Sequence, residues 1–91
     1  MRESTALDVQ KEVGRRIHRA RVDAGMTQDA AAAAAGIDLK RWQRLEQGSV
    51  NATVKTLVRV AEALGISFWD LLVAASPEGE SQRPRVRRSR A

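Results

Sequence analysis

The chain has 91 residues, 16 Lys plus Arg against 11 Asp plus Glu, one His, no Cys and three aromatics, which fits one small domain. Apolar types make up 43% of it, but 15 of those residues are Ala, so the core is thin and association would help it. Without Cys there is no disulfide framework and no thiolate metal site, and His18 alone cannot form a multi-histidine site, which excludes zinc modules and leaves no cofactor to expect. No run of about 18 apolar residues is present, and Met1 to Gln10 lacks the apolar stretch of a signal peptide, so a soluble, intracellular protein without a membrane partner is expected.

In chain order, Val9, Val13, Ile17, Ala20 and Ala24 recur at helical spacing and stop at Gly25, which predicts an amphipathic helix from about Ala6 or Asp8 to Ala24. Thr27 offers an N-cap, with Gln28 and Asp29 in the first turn, before six alanines (Ala30 to Ala35) run to Gly36 in a second, short helix. Asp38 caps a third. Its inward residues are Trp42 and Leu45, with Leu39, Lys40, Gln43, Arg44 and Gln47 outward until Gly48 ends it. After the loop Ser49 to Ala52, Thr53 caps a fourth helix with Val54, Leu57, Val58, Ala61 and Leu64 on one face, closed by Gly65. Ser67 caps a fifth with Phe68, Leu71 and Leu72 inward. No alternating strand pattern appears, so the expected fold class is all-α, a compact five-helix bundle.

The charge excess sits mostly beyond residue 75. Residues 76–91 hold five Arg and two Glu, and Ser76 to Ser81 has turn and disorder composition. The folded domain is therefore expected over 1–75, with a disordered Arg-rich tail over 76–91. That tail reads either as a solvated end adding long-range attraction to a polyanion or as an arm that enters a minor groove or tracks phosphates.

The second and third helices, joined by a short turn containing Gly36, form a helix-turn-helix arrangement. Lys40 and Arg41 occupy the first turn of the third helix, where the helix dipole disfavours cations. An anionic partner would compensate them. Arg44 follows Lys40 by one turn, with Leu39 and Gln43 beside it. Arg and Lys can donate to guanine, Gln can pair with adenine and Leu can touch a thymine methyl in a major groove. The competing reading of these residues is a merely solvated helix face.

The string Val13 to Arg21, Gly25-Met26-Thr27-Gln28, Gly36-Ile37-Asp38, Trp42 to Gly48, Leu57, Ala61 to Ser67 and Leu71-Leu72 resembles the phage-repressor and Cro type (Xre family) of helix-turn-helix domain, with its lambda-repressor-like bundle, over about 60 residues. It departs in having Ala31 where the family usually carries Leu and Trp42 where it carries a smaller aliphatic, an exchange of volume that compensates. The resemblance implies sequence-specific binding of double-stranded DNA by a transcriptional regulator, a repressor or autoregulator encoded by a bacterium or phage, cytoplasmic and nucleoid-associated. It implies base reading by Leu39, Lys40, Gln43 and Arg44. Phosphate contacts would come from Thr27, Gln28, Arg41, Gln47, Ser49, Asn51 and Lys55, with Arg15, Arg16 and Arg19 on the first helix as further candidates.

The resemblance further implies a structural salt bridge between Arg21 and Glu46, and leaves His18 as a surface helix residue. A single domain reads about four or five base pairs, so a homodimer placing two reading helices about 34 Å apart is expected. Trp69 and Val73 are the candidate dimer interface, the alternative being a Trp that lies along its own domain. A competing function is an antitoxin-like interaction module that holds a partner protein through the tail and also binds its own promoter. No Ser/His/Asp set, paired carboxylate or Gly-rich phosphate loop points to an enzyme.

Overall fold

A computed structural model describes residues 6–72. Along them run four α-helices, α1 (Ala6–Asp23), α2 (Gln28–Ala35), α3 (Leu39–Gln47) and α4 (Val54–Leu64), followed by one 3₁₀ turn, Phe68–Leu71. Among the described residues there is no strand.

Local chemistry sets most of these boundaries. Thr27, Asp38 and Thr53 each adopt extended backbone, and each side chain accepts from the amide three residues on, which satisfies one of the amides a helix start leaves open. Between α2 and α3 the chain must reverse within three residues. Gly36 does this at φ 73°, the left-handed region that costs glycine nothing, while the amides of Gly36 and Ile37 close onto the carbonyls of Ala33 and Ala32.

The expected fifth helix is corrected to a single 3₁₀ turn. Ser67 Oγ accepts from the Trp69 amide and Asp70 reaches back to the Ser67 amide, while Asp70 N donates to Ser67 O at 2.9 Å. Two aromatics and an Asp are modest helix formers, and so short a segment closes more readily with i to i+3 bonds. Leu71 is fully buried, but Leu72 faces outward, against the inward placement read from the sequence. Val73, the domain end near residue 75 and the tail lie outside the described residues.

The core gathers Ile17 from α1, Ala31, Ala32 and Ala35 from α2, Trp42 and Leu45 from α3, Leu57, Val60, Ala61 and Leu64 from α4, and Leu71. Trp42 is the largest fully buried side chain, and Ala31 in α2 is equally closed to solvent, so the small and the large residue share one interior. The inward stripe of α4 runs through Leu57, Val60, Ala61 and Leu64. Val54 and Val58, read from the sequence as inward, are exposed, as is Val9 on α1. Alanines along α2 and glycine at position 14 of α1 allow close packing around α3. A Cβ on Gly14 would lie 2.6 Å from the carbonyl oxygens of both Leu45 and Glu46, so the backbones of α1 and α3 touch there.

Candidate nucleic-acid interface

Burial divides α3 into three stripes. Trp42 and Leu45 face inward, and Lys40, Arg41, Arg44 and Gln47 are exposed. Leu39, Gln43 and Glu46, spaced four and three residues apart, form a half-buried flank. Leu39 and Gln43 are thus not fully outward, as the helical pattern had them.

The exposed stripe has a distinctive charge state. Lys40, Arg41 and Arg44 have no side-chain hydrogen-bond or ion-pair partner among the described residues, and no acidic residue stands in the first turn of α3. Asp38 caps the helix, with Oδ1 accepting from the Arg41 amide at 2.8 Å. Lys55, exposed in the first turn of α4, is likewise unpaired. The arginines of α1 behave differently. Arg15 and Arg16 both bind Glu12, Arg16 also donates to the Asp70 carbonyl, and Arg19 pairs with Asp23. Those cations are engaged within the domain, whereas the cations of α3 point into solvent.

The only carboxylate of α3, Glu46, is turned inward, its side chain 6% exposed. Its Oε2 accepts from Arg21 Nε at 2.6 Å and from the indole Nε1 of Trp42 at 2.6 Å. Its Oε1 accepts from Gln28 Nε2 at 3.0 Å and from Arg21 Nη2 at 3.3 Å, and faces His18 Nδ1 at 3.1 Å. Arg21 Nη1 also donates to the Met26 carbonyl at 2.9 Å. Burial pushes the Glu46 carboxyl up, but the bonds from Arg21, Trp42, His18 and Gln28 outweigh it and hold the group down at about 2. An ionised carboxylate only accepts, so His18 bonds Glu46 in the tautomer that carries a proton on Nδ1, whereas the 3.3 Å approach of Arg21 Nη2 suits the other tautomer.

Helices α1, α2 and α3 are thereby tied to one largely enclosed carboxylate. Sequence reasoning expected Arg21 and Glu46 to pair but did not bring His18, Gln28 or Trp42 to that point. The i, i+4 spacing of Trp42 and Glu46 and the i, i+3 spacing of His18 and Arg21 were the available signals.

Thr27 is spent as the α2 cap, its Oγ1 accepting from the Ala30 amide at 3.0 Å. Gln28 is half-buried, linking Glu46 on one side to Gln43, whose Nε2 donates to Gln28 Oε1 at 3.2 Å. Gln47, Ser49 and Asn51 are exposed at the end of α3 and in the loop that follows, Ser49 Oγ donating to the Arg44 carbonyl at 3.4 Å. Trp69 stands apart from this face, 64% exposed, with its ring edge-on to Phe68 at 5.1 Å. Among the described residues there is no group of three or more His, Cys, Asp or Glu that could hold a metal ion, and no helix is long and apolar enough to cross a membrane.

Two short helices joined by a glycine turn, the second presenting a cationic stripe, define a helix-turn-helix unit. The chain belongs to the helix-turn-helix domain family, which it matches over residues 12–72, and that family is a DNA-binding type of transcription regulator rather than a class of enzymes. It is 38% identical over 66 residues to an uncharacterized HTH-type transcriptional regulator, y4dJ, of Sinorhizobium fredii, covering 72% of this chain and 86% of that one. The restriction-modification controller protein C.AhdI of Aeromonas hydrophila superposes with a TM-score of 0.67 at 26% identity, over 68% of this chain and 94% of that one. The clp gene regulator ClgR of C. glutamicum superposes with a TM-score of 0.68 at 27% identity, over 77% and 87% of the two chains.

Proposed function

We propose that this protein is a sequence-specific regulator of transcription, acting as a repressor or autoregulator, that inserts α3 into the major groove of double-stranded DNA and binds as a homodimer. The observation that carries the reading is the unpaired stripe Lys40, Arg41 and Arg44 on a helix whose carboxylate is turned toward α1 and α2 rather than to solvent. Cations in a first helical turn oppose the dipole, and phosphates or guanine edges remove that penalty on binding. Lys40 and Arg44, one turn apart, address base edges. Arg41, Gln47, Ser49, Asn51 and Lys55, together with the amides at the α2 start beside Thr27 and Gln28, address the backbone on either side. Membership of a family of DNA-binding regulators supports the same reading.

Selection of bound duplexes from a random pool tests it. The parent enriches a defined site, and Lys40→Ala and Arg44→Ala each lose preference at a different base pair, with discrimination falling by about 1–3 kcal/mol at each. If both variants retain the parent's preferences, α3 is not the reading element.

A further inference from the structure

Gln43 has an amide whose two ends look alike in size and opposite in hydrogen bonding, and the three-helix junction decides which end goes where. We propose that Glu46, acting through Gln28, fixes the orientation of the Gln43 amide, so that Gln28 and Glu46 are positioning residues for base discrimination at the one base pair Gln43 faces. The inference rests on the α3 reading given above and adds to it two residues that need not touch a base.

The argument is a chain of forced donors. Glu46 is ionised and accepts only, with both oxygens already receiving bonds from Arg21 and one from the Trp42 indole. The Gln28 atom 3.0 Å from Glu46 Oε1 must therefore be the NH2 group. That choice turns Gln28 Oε1 to the opposite side, where it can only accept. The Gln43 atom 3.2 Å from it is then also NH2.

Both orientations follow from the chemistry of Glu46, although an isolated glutamine amide has no preferred way round. Gln43 is left with its carbonyl oxygen and one N–H uncommitted. Side by side in a fixed order, these match the N6 donor and N7 acceptor of adenine. Gln43 lies three residues after Lys40 and four before Gln47, at the edge of the exposed stripe. Lys40 and Arg44 offer donors only, so among these three side chains Gln43 is the one whose specificity depends on being held one way round. The anchor is rigid, because Glu46 is itself fixed by α1 and by Trp42 of its own helix.

The test uses the full chain and four variants, Gln43→Ala, Gln28→Ala, Glu46→Gln and the double variant Gln28→Ala/Gln43→Ala, in duplex selection. Side-chain amide spectra by 15N NMR without DNA accompany it. Gln43→Ala should flatten the preference at one base pair. Gln28→Ala should flatten the same base pair by about 5-fold or more, leave the positions read by Lys40 and Arg44 unchanged, and add nothing in the double variant. Glu46→Gln should weaken that base pair too, and Gln28→Ala keeps the question open to measurement if Glu46→Gln folds poorly.

Without DNA, the Gln43 side-chain amide signals should shift in Gln28→Ala. A uniform loss of affinity for all sequences in Gln28→Ala would overturn the proposal by making Gln28 a phosphate contact alone, and so would unchanged base preferences in Gln43→Ala. Unmoved Gln43 amide signals would overturn it independently of DNA. A parent that enriches no site would instead refute the reading of α3 as a sequence-specific element, with the amide spectra still deciding whether Gln28 holds Gln43.

Discussion

Glu46 accepts bonds from Arg21, Trp42 and Gln28 and faces His18 while its side chain is nearly closed to solvent, so removing its charge leaves several donors without a partner. Its folded-state value is depressed from the ordinary 4.5 to about 2. A carboxylate depressed in this way contributes its full stabilisation above the unfolded value, and the contribution is lost as pH falls from about 4.5 towards 2.

Glu46→Gln should therefore lower unfolding free energy most at pH 7, with the gap to the parent narrowing in acid. Urea unfolding of both proteins across pH 7 to 2.5, roughly spanning that window, checks this. Glu12, held low by the Arg15 hydrogen bond, adds its own acid sensitivity to both chains and cancels in the difference. Parallel stability curves would mean that the Glu46 charge contributes nothing.

At the scale of elements, the junction exists because α1 and α3 approach to backbone contact at Gly14. Gly14→Ala should gain about 1 kcal/mol of helix propensity. It must also place a methyl 2.6 Å from two carbonyl oxygens of α3, which are backbone atoms that cannot rotate away. Overpacking costs about 1–3 kcal/mol or more, so the expected net effect is destabilisation, and chemical denaturation reads its sign directly. Stabilisation by the propensity term would show that the helices part without cost.

Gly14 also shows what the sequence withholds. Helix starts at Thr27, Asp38 and Thr53 and the stop at Gly36 are local chemistry, and the sequence reveals them within a residue or so. A glycine in mid-helix signals only weakness until the helix packed on it is known. The inward stripe of α4 was ambiguous for the same reason, because Val54, Leu57, Val58, Val60, Ala61 and Leu64 satisfy more than one helical stripe and the neighbours choose Val60 over Val58. On α3 the pattern separated Trp42 and Leu45 from Lys40 and Arg44. It could not show that the flank bearing Gln43 meets Gln28, which depends on how α2 lies across α3.

Across the molecule, open cations and exposed large apolar side chains are both left on the surface. The arginines of α1 are engaged within the domain while Lys40, Arg41 and Arg44 stay open, so α3 carries uncompensated positive charge that attracts a polyanion. Trp69 presents a large apolar ring beyond α4, with Leu72 also exposed nearby in the chain. The ring stands edge-on to Phe68, and an exposed indole offers a large apolar area for a second surface to cover.

A homodimer formed through Trp69 would let two α3 helices read half-sites about 34 Å apart, and a single copy would be left with too few contacts for specific binding. Sedimentation equilibrium distinguishes this from an indole that serves only its own domain. The parent should weigh as a dimer at micromolar concentration, and Trp69→Ala should weigh as a monomer while keeping its helical content. The variant should also lose most of its affinity for the two-half-site duplex but little for a single half-site. If Trp69→Ala lowers thermal stability and leaves the mass unchanged, the indole belongs to its own fold and the dimer must use another surface.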